Sequence, residues 1–150
     1  MAQSLSSVLI HLVFSTKDRE PFISTEIEPE LHAYLVGIFK EHKCPSILVG
    51  GTFDHIHALF NLHRTRAIAD VVEELKKGSS KWIKTQGVEF RNFHWQAGYG
   101  AFSIGQSGVE PLKLYIANQR QHHGKTTFKN EFRGLLKKYE MEYDERYVWD

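Results

Sequence analysis

Apolar and polar residues recur along this chain with two different periods. A period of two, or a short run of β-branched and apolar residues, predicts four strands: Ser7–Ser15, Pro45–Val49, the segment that opens at His55, and Tyr99–Ile104. Gly50-Gly51 permits a bend or bulge before the third strand, and Gly100 marks a bend or a close backbone approach in the fourth. Helical spacing predicts four helices. In the first, Ser24 or Thr25 is the cap, Glu28 completes a capping box, Leu31, Leu35, Ile38 and Phe39 form the stripe, and the end falls near Lys43. The second runs from Arg66 to about Lys84, weakened in its middle by Gly78-Ser79-Ser80. The third is capped by Ser107 and runs to about His123, stopping at Gly124. The fourth spans Thr127 to Tyr139, with Phe128, Phe132, Leu135 and Leu136 on its apolar side. The aromatic tail, Met141–Asp150, is expected to dock on the domain or on a partner. The order β-α-β-β-α-β-α predicts an α+β, ferredoxin-like split βαβ domain over residues 1–150. Its antiparallel sheet carries helices on one face, with a C-terminal helix bearing Tyr115 in addition, and the open face is then available to a nucleic-acid strand.

Composition narrows the function classes. With 150 residues, 41% hydrophobic and 25% charged, the chain has material for one packed core. A formal net charge of +1 excludes a global basic field. Local basic clusters persist, among them Arg64, Arg66, Lys76, Lys77, Lys81 and Lys84, which are the candidate DNA contacts. The single cysteine, Cys44, rules out an internal disulfide and fits a reducing, cytoplasmic setting; Cys44 itself reads as a small buried residue. The N-terminus lacks a positive charge before its apolar stretch, unlike a secretory signal, and no apolar run approaches the roughly 20 residues of a membrane span.

The chemistry-bearing pattern is His55-Ile56-His57. Residues two apart on a strand share a face, so both imidazoles point one way while Ile56, Ala58 and Phe60 point into the core. Paired neutral imidazoles suit a divalent metal at a shallow site. On the third helix, Tyr115 and Gln119 are four apart and project together, with His122 seven residues on. A tyrosine hydroxyl can serve as a nucleophile, and an amide oxygen is a hard third ligand beside two imidazoles, which favours Mg²⁺ or Mn²⁺. His122-His123 reads as a helix C-terminal cap, with phosphate contact or tuning of Tyr115 as alternatives. Phe102, Tyr99 and Trp95 offer rings for base stacking, although core packing is expected of at least two of them.

These residues together resemble the single-tyrosine HUH transposases, the family of small insertion-sequence and REP-associated tyrosine transposases. The resemblance is carried by His11–Pro21, Asp54-His55-Ile56-His57-Ala58-Leu59, Leu75–Trp82, Trp95–Phe102 and Tyr115-Ile116-Ala117-Asn118-Gln119, and covers nearly the whole chain. It implies that His55, His57 and Gln119 bind the metal and that Tyr115 is the nucleophile. It implies single-stranded DNA with hairpin ends as substrate, a homodimer, a 5′-phosphotyrosine intermediate, and no organic cofactor. Activity is then expected to fall as pH drops through the histidine range. The rival readings are a domesticated nickase serving the host, a catalytically silent single-stranded nucleic-acid binder, and a metal-dependent hydrolase of a small phosphoester. Whether the site forms within or between subunits is left open by the sequence.

Overall fold

The computed structural model describes residues 2–150. Four strands, β1 (Leu9–Ser15), β2 (Ser46–Thr52), β3 (His55–Asn61) and β4 (Gly100–Ile104), form one sheet in the order β2-β3-β1-β4, antiparallel throughout. That is the split βαβ order expected. All seven residues of β1 are buried, which requires cover on both faces of the sheet.

One face carries Ile10, Leu12, Phe14, Ile56, Ala58 and Phe60. Helices α1 (Glu28–Glu41) and α2 (Ile68–Ile83) cover it with Leu31, Leu35, Phe39, Val71, Val72, Leu75 and Ile83, forming the main core. Burying each such large side chain stabilises the fold by about 1.5–3 kcal/mol, which makes this layer the main anchor of the molecule. The other face is not open. Helices α3 (Val109–Ala117), α4 (Gln119–His122) and α5 (Phe128–Lys138) lie over it, seated on Leu9, Val13, Leu59 and Phe102. The expectation of a bare nucleic-acid-binding face therefore fails, because the last three helices carry apolar side chains of their own to bury there.

Two glycines set how closely those helices approach. A Cβ on Gly50 would lie 2.6 Å from Ile116 Cγ2, and one on Gly100 would lie 2.5 Å from the Phe132 ring. Gly50→Val should push α3 off the sheet and destabilise the fold by about 1–3 kcal/mol, read as a lowered denaturation midpoint. An unchanged midpoint would contradict this account of the packing.

Several boundaries differ from the sequence reading. The first helix starts at Glu28 without a side-chain cap, and Ser24 Oγ accepts from the Ile27 N–H at 3.3 Å. Glu28 closes no capping box at Thr25; its carboxylate is paired with Arg120. Gly50 and Gly51 do not end β2, which runs on to Thr52. Gly78-Ser79-Ser80 does not interrupt α2, since the buried Ser79 hydroxyl donates to Leu75 O (2.6 Å) and accepts from Trp95 Nε1 (2.9 Å). The third helix breaks at Asn118 and is preceded by a 3-10 turn at Gln106–Gly108. The tail docks on its own domain: Trp149 packs on Phe132, and Gly98 N–H donates to Asp150 O at 2.8 Å. Among the described residues no helix is long and apolar enough to cross a membrane.

His32 on α1 gives the fold an acid sensitivity. Burial pushes its pKa from 6.5 down to about 4. Between those values the unfolded chain takes up a proton there and the folded chain does not. Stability is therefore full above pH 6.5 and is lost as pH falls toward 4, at up to about 1.4 kcal/mol per pH unit for this one group. Urea melts from pH 7.5 to 4.5 should show the decline, and His32→Gln should make it shallower. An equal slope in the variant would overturn the assignment.

Candidate active site

β3 lies between β2 and β1, so its residues are held from both sides. His55 and His57 share the face covered by α3–α5, and both are 0% exposed. The site is deep rather than shallow. The outer nitrogen of each imidazole is fixed within the sheet. His55 Nδ1 is 2.7 Å from Asp54 Oδ1 and 3.0 Å from Thr52 Oγ1. His57 Nδ1 is 2.8 Å from His11 Nε2, which comes from β1.

The inner nitrogens meet side chains from the overlying helices. His55 Nε2 is 2.8 Å from Gln119 Oε1 and 3.5 Å from Glu131 Oε1. His57 Nε2 is 3.0 Å from the same Glu131 oxygen. The kink at Asn118 leaves Tyr115 and Gln119 one turn apart, and both donate to Glu131 Oε2: the phenol directly, and Gln119 Nε2 at 2.9 Å. His123 Nε2 reaches Glu131 Oε1 at 2.9 Å.

Burial alone would raise the pKa of Glu131. The hydrogen bonds from His123 and His57, the charge interaction with His57 and the phenol of Tyr115 outweigh it and hold the carboxyl well below the usual range. Burial lowers His57 to about 4 against the pull of Glu131, and lowers His11 to about 3 with His57 adding to the effect. Proton competition at the His57 nitrogen thus sets in at lower pH than the sequence reading placed it. Burial first, then the Glu131 bond and charge, raise Tyr115.

The buried Glu131 carboxylate faces imidazole nitrogens and an amide, and this donor set fits a divalent cation. With bonds near 2.1 Å, adjacent ligands of an octahedral ion sit about 3 Å apart. The 2.8, 3.0 and 3.5 Å separations lie around that value. His55 is also oriented by a carboxylate on its other nitrogen, the usual arrangement behind a ligating histidine. His55, His57 and Gln119 could therefore hold the ion, and Glu131 is a fourth donor.

The family model for IS200-like transposases matches residues 4–119. The chain belongs to that family. Two solved structures share its fold. A candidate transposase of Deinococcus radiodurans R1 is 20% identical over 79% of this chain and 98% of that one, with a TM-score of 0.62. A REP-associated tyrosine transposase bound to a REP hairpin is 14% identical over 84% of this chain and 76% of that one, with a TM-score of 0.63. No curated protein matches.

Two groups of this IS200-like transposase, Glu131 and His11, escaped the sequence reading. Glu131 lies beyond the matched segment, but it sits on the stripe defined by Phe128, Phe132 and Leu135, where a carboxylate is out of place. His11 interrupts an apolar strand, and that was its signal. His123 is the C-cap of α4 and its ring turns inward to Glu131, whereas His122 stays half-exposed, 3.4 Å from Glu131 Oε2.

The basic residues do not gather here. Lys76, Lys77 and Lys81 are on α2, with Arg64, Arg66 and Lys84 just outside its ends; α2 covers the opposite face of the sheet from the histidines. Lys77, Lys81 and Lys84 are accompanied by Arg64 as exposed or half-exposed groups, and Arg66 bonds His42 Nδ1 at 3.1 Å. Lys76 is committed to three backbone oxygens, of Gln96 (2.8 Å), Ala97 (3.2 Å) and Gly98 (2.6 Å). Trp95 and Phe102 are core residues, and Tyr99 is exposed.

Proposed function

We propose that this transposase nicks and rejoins single-stranded DNA through a 5′-phosphotyrosine on Tyr115. The observation that carries the reading is the convergence of the Tyr115 phenol, the Gln119 amide and the His55 and His57 imidazoles on one buried point. His55, His57, Gln119 and Glu131 would hold Mg²⁺ or Mn²⁺, which when bound neutralises charge developing on the scissile phosphate. Tyr115 Oη forms the new P–O bond as the bond to the 3′ oxygen breaks, and the phenolic proton ends on that oxygen. The phosphotyrosine conserves the phosphodiester bond energy, so a 3′-OH can reverse the step on a new strand. Asp54 and Thr52 orient His55, and His11 orients His57.

Two clefts flank α5 and give a strand its route. One of about 440 Å³ is lined by His11, Ser103, Tyr115, Lys138 and Tyr139, and one of about 630 Å³ by Arg19, Asp54, His123, Phe128 and Lys129. Hairpin-bearing ends are proposed as substrate, in keeping with the REP hairpin on the similar transposase. Arg64, Arg66, Lys77, Lys81 and Lys84 remain candidates for contacts to the hairpin's phosphates outside the site. A cytoplasmic homodimer completes the proposal; within one chain the phenol already reaches the Glu131 carboxylate that His57 contacts.

The test is a denaturing gel. Hairpin-bearing oligonucleotides from the gene's own flanks, incubated with the protein and Mg²⁺, should yield a protease-sensitive covalent adduct and a free 3′-OH fragment. Cleavage with no adduct would favour a hydrolase, and binding with no cleavage would favour a silent nucleic-acid binder.

A further inference from the structure

Glu131 contacts Tyr115, Gln119, His55, His57 and His123, yet it comes from α5, outside the segment the family model matches. One of its oxygens faces the two imidazoles and His123; the other takes the Tyr115 phenol and the Gln119 amide. The surrounding rings do not fix the phenol's hydroxyl. His11, His57 and His122 meet the Tyr115 ring at centroid distances of 6.4, 5.7 and 5.3 Å, and none of them bonds its oxygen. The hydroxyl donates to Glu131, with the Gln119 amide also within reach of its oxygen.

Glu131 is itself held firmly. Thr127 caps α5 by accepting from the Asn130 N–H at 3.2 Å. Phe128, Phe132 and Leu136 pack on Val13 and Phe102, and Arg133 grips Glu145 of the tail at 2.7 and 3.1 Å. A carboxylate with both oxygens committed, on a helix fixed along its length, is a rigid reference point for a side chain that otherwise turns about its own bonds.

We propose that Glu131 is a positioning residue for the reaction, holding the Tyr115 phenol against the metal-ligand cluster, so that α5 completes the active site within one chain. The inference rests on Tyr115 being the nucleophile. The opposite role is a plug, in which the same carboxylate occupies the place of the scissile phosphate and must leave before DNA enters. The two roles predict opposite signs.

Single-turnover adduct formation should be measured for the wild type, Glu131→Gln and Glu131→Ala at saturating hairpin DNA and Mg²⁺. Misplacing a reacting group by about 1 Å can cost about 100-fold, and Glu131→Ala should lose rate on that scale with unchanged DNA affinity. Glu131→Gln keeps an oxygen acceptor and should recover part of the rate; being nearly isosteric, it also decides the matter if the alanine variant does not fold. Proton NMR of the metal-free, DNA-free protein supplies an independent reading. A downfield Tyr115 hydroxyl resonance, identified by its loss in Tyr115→Phe, should also vanish in Glu131→Ala. An adduct rate equal to the wild type in both Glu131 variants, or a persistent hydroxyl resonance, overturns the proposal, and a faster rate establishes the plug. If the wild type itself forms no adduct, the nucleophile reading fails and positioning falls with it. An adduct that forms equally well in every Glu131 variant sinks positioning alone.

Discussion

Tyr115→Phe will abolish the covalent DNA adduct while the protein still folds and still binds hairpin DNA. The substitution removes one oxygen, the atom proposed to attack phosphorus. Loss of a nucleophile lowers turnover by about 10⁴-fold or more. The rest of the site changes little. Glu131 keeps donors from Gln119 at 2.9 Å, His57 at 3.0 Å and His123 at 2.9 Å, so the stability cost should stay near 1–3 kcal/mol. The ring also keeps its neighbours His11 and His57. Adduct gels and fluorescence anisotropy with labelled hairpin DNA separate the two effects. Full nicking by the variant would end the assignment of Tyr115, and loss of DNA binding alongside loss of the adduct would assign it to recognition.

The sheet was legible because its signals are local. The apolar, β-branched run of Ser7–Ser15 marks a strand, the two-residue spacing in the His55 strand states which side chains share a face, and the register fits it: His57 lies opposite Val13 and His55 opposite Ser15. The pairing of Tyr115 with Gln119 was legible for the same reason, since one helical turn survives the kink at Asn118. What the pattern cannot state is which helix lies on which face. The apolar stripe of α5 says that it packs, and leaves its partner unnamed. Placing α5 over the histidines is a tertiary fact, and with it go the burial of His55 and His57, the role of Glu131 and the inward turn of His123. The same gap hid which face the basic residues occupy. Sequence clusters Lys76 with Lys77, but α2 lies on the other side of the sheet, and the Lys76 ammonium is spent on three carbonyl oxygens.

Replacing either histidine of β3 should remove the response to metal along with catalysis. In the wild type, an ion that binds the folded state and not the unfolded one stabilises by about 2.7 kcal/mol at a hundred times its dissociation constant, which for a chain of this size raises the melting temperature by roughly 5–10 °C. Mn²⁺ should produce that rise in the DNA-free protein. His55→Ala and His57→Ala should each flatten it, because each removes an inner nitrogen lying 2.8–3.5 Å from the other donors. Both variants also start from a lower midpoint, by about 2–4 kcal/mol, since a fully buried ring is lost and its partners are left short of a hydrogen bond. The partners left short differ: His57→Ala strands His11 and deprives Glu131 of a donor, whereas His55→Ala leaves Asp54, Thr52 and the Gln119 amide oxygen without the imidazole. His32→Gln is the control, a half-buried histidine on the far layer whose loss should leave the Mn²⁺ response intact. A wild-type rise that persists undiminished in both β3 variants would show that the ion binds elsewhere, and the convergence of His55, His57, Gln119 and Glu131 would then need another explanation.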